Sequence, residues 1–273
     1  MSSLALPVTD PELEERLRAR MLVVEEALDT HVRSEASFVT EAARHLMQAG
    51  GKRFRPLLVL LAAEAGERAD AEEIVTAACV VELTHLASLY HDDVMDEAEL
   101  RRGSESANAR WDNHVAILTG DFLFSKSSEL TAGLGPDGVR IQAQTFTRLV
   151  EGQILETLGP GEGDDPLEHY LRVVAGKTGS LIATSAQYGA KYSGASPDIE
   201  AALTEYGEKV GVAFQLSDDI LDIASESHES GKTPGTDLRE GVLTLPTLIA
   251  MRSQDPADAR LLALLASDLT DDA

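Results

Sequence analysis

Between residues 70 and 96, Ile74, Ala78, Val81, His85, Ser88 and Asp92 follow one another at intervals of three or four. That spacing is one face of a single long helix, because 3.6 residues per turn bring such positions to the same side. The rest of the chain keeps the habit. Its glycines and prolines gather in AGGKRFRP (49–56), GLGPDG (133–138), GPGEGDDP (159–166), SGASP (193–197) and SGKTPGTD (230–237), and the segments between them are Ala/Leu/Val/Glu stretches of helical spacing. Alternating β-branched runs that would mark strands are scarce. The expectation is an all-α fold of roughly ten helices. Neither a polar linker nor a repeat of fixed period divides the chain, so residues 1–273 are expected to form one domain.

Charge narrows the partners. With 47 acidic against 23 basic residues and a formal net charge of -24, the surface repels nucleic acid and anionic lipid headgroups. An anionic substrate must therefore be drawn in by local cations or by a metal. The single cysteine, Cys79, lies in an apolar run, which excludes a disulfide framework and makes a buried thiol in a reducing cytoplasm the expectation. The amino terminus turns acidic before a signal-like core develops, and no stretch is expected to serve as a membrane span of roughly 20 apolar residues.

Two matching stretches carry the chemistry. DDVMD holds Asp92, Asp93 and Asp96, and DDILD holds Asp218, Asp219 and Asp222. In each, the outer pair at i and i+4 shares a helix face while the middle residue points about 100° away. Like charges one turn apart weaken a helix by roughly 0.2–0.5 kcal/mol, so the pattern is no stability device. Two carboxylates on one turn are instead an incomplete magnesium site. Mg2+ takes hard oxygen ligands, keeps several waters, and is completed by the phosphate oxygens of a substrate. One such pair alone is as well explained by a solvated acidic face. Both pairs, however, follow apolar runs, VVELTHLASLYH and VGVAFQLS, and solvated faces seldom interrupt buried helices.

Cations accompany the carboxylates. GGKRFRP supplies Lys52, Arg53 and Arg55, and Arg101 and Arg102 follow the first aspartates by about two turns. Guanidinium matches phosphate in a bidentate fork, and lysine acts as a point charge. GGK is not a P-loop, since the G-x-x-x-x-G-K-[ST] spacing is absent and no strand precedes it. AGKTGSL (175–181) sets two glycines around Lys177 and Thr178, and predicts a broken helix that opens carbonyls and a lysine to a cavity.

In order, GGKRFRP, DDVMDEAELRRG, KTGSL, FQLSDDILD and GKTPGTDLREG closely resemble the trans-type isoprenyl diphosphate synthases, the polyprenyl synthetase family. The resemblance implies an all-α prenyltransferase fold around a deep central cavity, usually as a homodimer. It implies head-to-tail condensation of isopentenyl diphosphate onto an allylic diphosphate with three Mg2+. Asp92 and Asp96 would hold two of the ions with Asp93 beside them, and Asp218 the third, supported by Asp222 and Asp219. Arg101, Lys177 and Lys232 would contact the allylic diphosphate. Lys52, Arg55, His85 and Arg102 would hold isopentenyl diphosphate, and Gln215 and Thr178 would aim dipoles at developing positive charge.

Product length is also implied. In such enzymes bulky side chains four or five residues before the first aspartate stop elongation early. Here those positions are Ser88 and Ala87, both small. Thr84 and Leu83, then Val81 and Val80, each lie about one turn farther back, and the implied product has about twenty carbons or more. Other classes fit less. A regulatory subunit of a heteromeric synthase would be marked by lost aspartates or arginines, and none is lost. An HD-type phosphohydrolase, suggested by His85 and His91 with the following aspartates, leaves the second cluster and GGKRFRP unexplained. A terpene cyclase would carry an Asn/Ser/Glu pattern in place of the second cluster. Relatives commonly continue for several helices past the TLP segment, whereas this chain runs only a short way beyond Pro246.

Overall fold

The computed structural model describes residues 8–224, 238, 241–265 and 267. Among the described residues the regular elements are helical but for one small hairpin, as the spacing predicts. The order is α1 (Pro11–His31), α2 (Ser37–Gln48), α3 (Phe54–Ala63), α4 (Glu72–Met95), β1 (Leu100–Arg101), β2 (Ser104–Glu105), α5 (Ala107–Arg110), α6 (Asn113–Gly133) and α7 (Gly135–Leu158). Then come α8 (Pro166–Val174), a π-helical turn (Ala175–Gly179), α9 (Ser180–Ser193), α10 (Pro197–Ala224), α11 (Leu245–Ala250), a 3-10 turn (Pro256–Asp258) and α12 (Ala259–Leu265). Starts follow local chemistry. Asp10 accepts from the Glu12 and Leu13 amides ahead of Pro11, and Asp165 does the same for Leu167 and Glu168 ahead of Pro166. A short acceptor at the cap and a proline just inside it satisfy donors that a helix start leaves orphaned.

The helices form two compact units. The first comprises Met1–Phe146 and Leu181–Gly207. Its axis is α4, where Ala77, Ala78, Cys79, Val80, Val81, Leu83, Leu86 and Ala87 are all buried. A helix apolar on every side must be enclosed by others. By length and composition α4 could also cross a membrane, contrary to the expectation that no stretch would. Yet 67% of the qualifying window is buried inside the fold, as befits a core helix. Close approaches need missing side chains: a Cβ on Gly189 of α9 would lie within 3.0 Å of Val59 O, Ala62 Cβ and Ala63 N on α3. After α4 the chain makes the antiparallel β1–β2 hairpin, which turns through Arg102 (φ 55°) and Gly103 (φ 76°). Two successive positive φ values are the backbone of a tight hairpin turn.

The second unit comprises Thr147–Ser180 and Glu208–Ala273. Tyr170, Val174 and Leu248 form its core, with Leu167, Val212, Leu216 and Leu245 packed against them. KTGSL departs from expectation here. Instead of breaking, α8 widens into the π-helical turn and runs on into α9. The glycines serve an approach: a Cβ on Gly152 of α7 would stand 2.5 Å from Lys177 N and 2.9 Å from Gly176 C. A π-bulge of this kind keeps backbone bonds while re-aiming the side chains on it.

Candidate functional site

In the first unit, α4 ends at the first aspartate cluster. The Asp96 amide closes the last turn on Asp92 O at 2.8 Å, so Asp96 caps the helix rather than lying within it. Asp92 is half-buried and Asp96 exposed, whereas Asp93 has no exposed surface. The 100° offset read from the sequence is thus an inside–outside division. Arg101 Nε donates to Asp93 Oδ1 at 2.6 Å, while Asp93 Oδ2 is buried with no hydrogen-bond partner. Burial pushes the Asp93 carboxyl above the ordinary carboxylate range, and Arg101 opposes that rise. Asp93, expected beside the metal ligands, is turned inward, and Arg101 spends its Nε on it.

A cation cluster stands behind this end. Arg53, at the N-cap of α3 with φ 48°, donates to Glu25 (2.7 Å), Glu82 (3.2 Å) and Met47 O (2.8 Å). Arg102 Nη1 donates to Leu46 O at 3.1 Å and to Gly50 O. Gly51 makes the crowding possible. Its φ of 137° is left-handed space, and a Cβ there would meet the Arg102 and Arg53 guanidiniums at 2.8 Å. Burial lowers Arg55 to about 10, with Glu82 opposing the shift, and Arg55 Nε is buried without a partner. Burial, then Arg55 and Arg102, drives His85 well below the ordinary imidazole range, so this histidine is neutral. Lys52 is exposed at the mouth of the same loop.

The second unit carries the second cluster on α10. Asp218 is exposed and Asp222 half-buried, while Asp219 is only 3% exposed. Tyr170 OH donates to Asp219 Oδ2, and Gln215 Nε2 donates to Oδ1 at 3.0 Å. Thr178 Oγ1 donates to Gln215 Oε1 at 3.1 Å. The Gln215 amide, expected to face developing charge, is therefore held at both ends within the protein. Lys177 Nζ pairs with Glu156 at 2.5 Å. Lys232 lies outside the described residues.

The outer carboxylates fit a hard divalent ion. They are oxygen donors, two per helix turn, with neither histidine nor thiolate among them, and Mg2+ is held by one or two carboxylates with substrate oxygens and water. Among the described residues no group of three or more His, Cys, Asp or Glu stands ready to hold a metal alone. On α4 the positions expected to set product length divide as well: Ser88 is half-buried, while Ala87, Thr84 and Leu83 are fully enclosed. Sequence reading missed Glu82 and Tyr170. A lone acid inside ACVVELTHLA was the available signal for the first, and nothing in the sequence marked the second.

Residues 36–273 match a family model described as polyprenyl synthetase. Nonaprenyl diphosphate synthase of Mycobacterium tuberculosis is 52% identical over 257 residues, which is 94% of this chain and 77% of that protein. Heptaprenyl diphosphate synthase component 2 of Geobacillus stearothermophilus is 44% identical over 248 residues, covering 90% of this chain and 76% of the relative. A crystal structure of geranylgeranyl pyrophosphate synthase from Corynebacterium glutamicum, complexed with calcium and isoprenyl diphosphate, is similar with a TM-score of 0.87. It is 51% identical, and the match covers 98% of this chain and 81% of that one.

Proposed function

The chain belongs to the polyprenyl synthetase family, and from that premise we propose that it condenses isopentenyl diphosphate onto an allylic diphosphate, releasing diphosphate and building a prenyl chain of about twenty carbons or more. The observation that carries the proposal is the presence, within one unit, of the Asp92 and Asp96 carboxylates at the end of α4 and of the cations Lys52, Arg55 and Arg102. Asp92 and Asp96 can take a metal-bound diphosphate; Lys52, Arg55, His85 and Arg102 can take a second diphosphate directly. Two anionic substrates need two such sites of different chemistry.

Asp92 and Asp96 would hold two Mg2+, and Asp218 with Asp222 a third. When bound, these ions supply charge stabilisation to the departing diphosphate. The protein does the remainder. Arg101, Lys177 and Lys232 would each contact the allylic diphosphate, and Thr178, which donates its proton to Gln215 Oε1, would turn its oxygen lone pairs toward the forming cation. The allylic C–O bond breaks, the double bond of isopentenyl diphosphate attacks the resulting carbocation, and the proton lost in closing the new alkene goes to the departing diphosphate. Fixed charges in a water-poor site stabilise such a transition state more than water would.

Residues 1–273 act as one catalytic domain in this reading, and two copies associate. Ile117 and Leu118 on α6 with Val139 and Phe146 on α7 are exposed apolar side chains that a second copy would cover. The cytoplasm is the proposed compartment, in keeping with the buried free thiol of Cys79. A second reading, a partner subunit of a two-component synthase, is favoured by the likeness to a heptaprenyl diphosphate synthase component 2.

One assay tests both. Purified protein is given Mg2+, labelled isopentenyl diphosphate and allylic primers of increasing length, and products are sized after dephosphorylation. A discrete ladder abolished by Asp92→Ala or by chelation supports the stand-alone synthase. No elongation from a folded protein overturns it and leaves the two-component reading.

A further inference from the structure

We infer that His45 of α2 is a positioning residue for the two hairpin arginines, held in that role by Arg110 and Trp111. The inference rests on the synthase reading above, in which Arg101 and Arg102 take diphosphate, and it names what aims them.

The hairpin is poorly equipped to aim anything alone. β1 and β2 have two residues each, Leu100 pairing with Glu105 and Arg101 with Ser104. A two-stranded ribbon is marginal in water even at greater length. Glu97 and Arg102, neither of them glycine, also stand at positive φ, 49° and 55°. Such backbone persists only where its surroundings over-determine it. The root of the hairpin is tied by Ser106 N donating to Glu99 O at 2.9 Å and Asn108 Nδ2 donating to Ala98 O at 3.0 Å. The rest is gripped by two neighbouring residues of α2. Leu46 O accepts from Arg102 Nη1 at 3.1 Å, and the His45 ring takes hold of β2 at Glu105 O, 2.7 Å from Nε2.

The ring's two partners decide its tautomer. A carbonyl only accepts, so Nε2 carries the hydrogen; Arg110 Nη1, 3.5 Å from Nδ1, only donates, so Nδ1 stays bare. Arg110 therefore selects the form of His45 that grips β2. Arg110 is itself fixed, by Glu41 at 3.0 Å and by the Trp111 ring, whose centroid is 4.7 Å from the guanidinium carbon. Trp111 meets the His45 ring edge-on at 5.1 Å and Phe38 at 5.8 Å, which closes a clasp between α2 and the end of α5. His45 acts on the arginines only through backbone, since Glu105 pairs with Leu100, the residue before Arg101.

Steady-state kinetics of the full chain in the elongation assay separate aiming from folding. Without the clasp the hairpin holds its binding pose for a smaller fraction of the time, and affinity falls by that fraction. One hydrogen bond of ordinary strength is equivalent to about fivefold, so His45→Ala is expected to raise KM for isopentenyl diphosphate and for the allylic primer by about fivefold, with kcat within about twofold of wild type. His45→Gln, whose amide nitrogen restores a donor toward Glu105 O, is expected to recover most of that loss. A residue that only stabilised the fold would lower the folded fraction, reducing apparent kcat with KM unchanged, and that result overturns the inference. Equal rises in KM for the two variants also overturn it. If His45→Ala does not melt cooperatively, Arg110→Ala, at an exposed position, carries the same expectation. Calorimetric titration with inorganic pyrophosphate and Mg2+ keeps the two readings apart. A wild-type protein that elongates no primer overturns the synthase reading, while pyrophosphate bound about fivefold more weakly by His45→Ala still upholds the clasp and equal binding overturns it.

Discussion

Glu82→Gln isolates the electrostatic logic of the cation cluster. Glu82 is 2% exposed, accepts from Arg53 at 3.2 Å, and is the carboxylate whose field favours the charged forms of Arg55 and Arg102. Glutamine keeps the shape and removes the charge. Breaking a buried ion pair from one side typically costs 3–5 kcal/mol, because the surviving charge is stranded. Arg53 is only partly stranded, since it retains Glu25 at 2.7 Å and Met47 O at 2.8 Å. The lower end, about 3 kcal/mol, is therefore the expectation, equivalent to a fall in Tm of about 6–12 °C for a domain of this size. Differential scanning calorimetry at pH 7 measures it. Inorganic pyrophosphate supplies the second arm. With Glu82 neutral, the cations lack their counter-charge, so pyrophosphate should bind the variant about tenfold more tightly, a gain of roughly 1.4 kcal/mol in ligand-induced stabilisation. A variant within 1 kcal/mol of wild type in both measurements would refute the reasoning, for it would mean the arginines need no counter-charge to stay buried together.

Two further perturbations probe the packing and the histidine. His85 is held neutral by burial and by Arg55, Arg102, Arg101 and Arg53, so its folded pKa lies below its unfolded value. The unfolded chain then takes up the extra proton, and stability present above about pH 6.5 is lost as pH falls, at up to about 1.36 kcal/mol per unit for this one group. Urea unfolding from pH 7.5 to 5.5 should show that slope in wild type and a shallower one in His85→Gln. Gly189→Ala sets two effects against each other: helix propensity gains about 1 kcal/mol, while the new Cβ lies within 3.0 Å of two backbone atoms and one Cβ of α3. Backbone cannot move aside as a side-chain tip can, so a net loss of about 2 kcal/mol or more is expected, and an unchanged or raised Tm would contradict it.

Much of this was legible in the sequence for a reason that can be stated. Helical spacing and helix-start chemistry are local, so α4 and the caps at Asp10 and Asp165 follow from residues within a turn or two of each other. The aspartate clusters were legible because their spacing alone puts outer and middle residues on different faces. Which face points inward was not, since that depends on what packs against the helix: Arg101 from a hairpin in one unit, Tyr170 from α8 in the other. KTGSL misled because glycines signal a break as readily as a close approach, and only the neighbouring Gly152 backbone decides between them. The hydrogen bonds that join Thr84, Ser127 and Gln142 were hidden for the same reason, since Ser127 and Gln142 are ordinary polar residues of helix surfaces until α6 and α7 are placed beside α4.

The two aspartate clusters share a construction that explains their three-residue form. An outer pair of like charges one turn apart repels itself and anything that would rotate the helix to bring it inward. A middle carboxylate anchored inside fixes that rotation, and each cluster has one: Asp93 on Arg101, Asp219 on Tyr170 and Gln215. The anchors differ in charge, and the difference matters for the proposed chemistry. Arg101 neutralises Asp93, so the DDVMD end presents its two outer charges with an arginine already engaged beside them. Tyr170 and Gln215 are uncharged donors, so Asp219 is fixed by hydrogen bonds alone. Removing the Tyr170 hydroxyl or the Gln215 amide therefore loosens the anchor of α10 alone, whereas removing the Arg101 guanidinium leaves a buried carboxylate without its ion-pair partner as well.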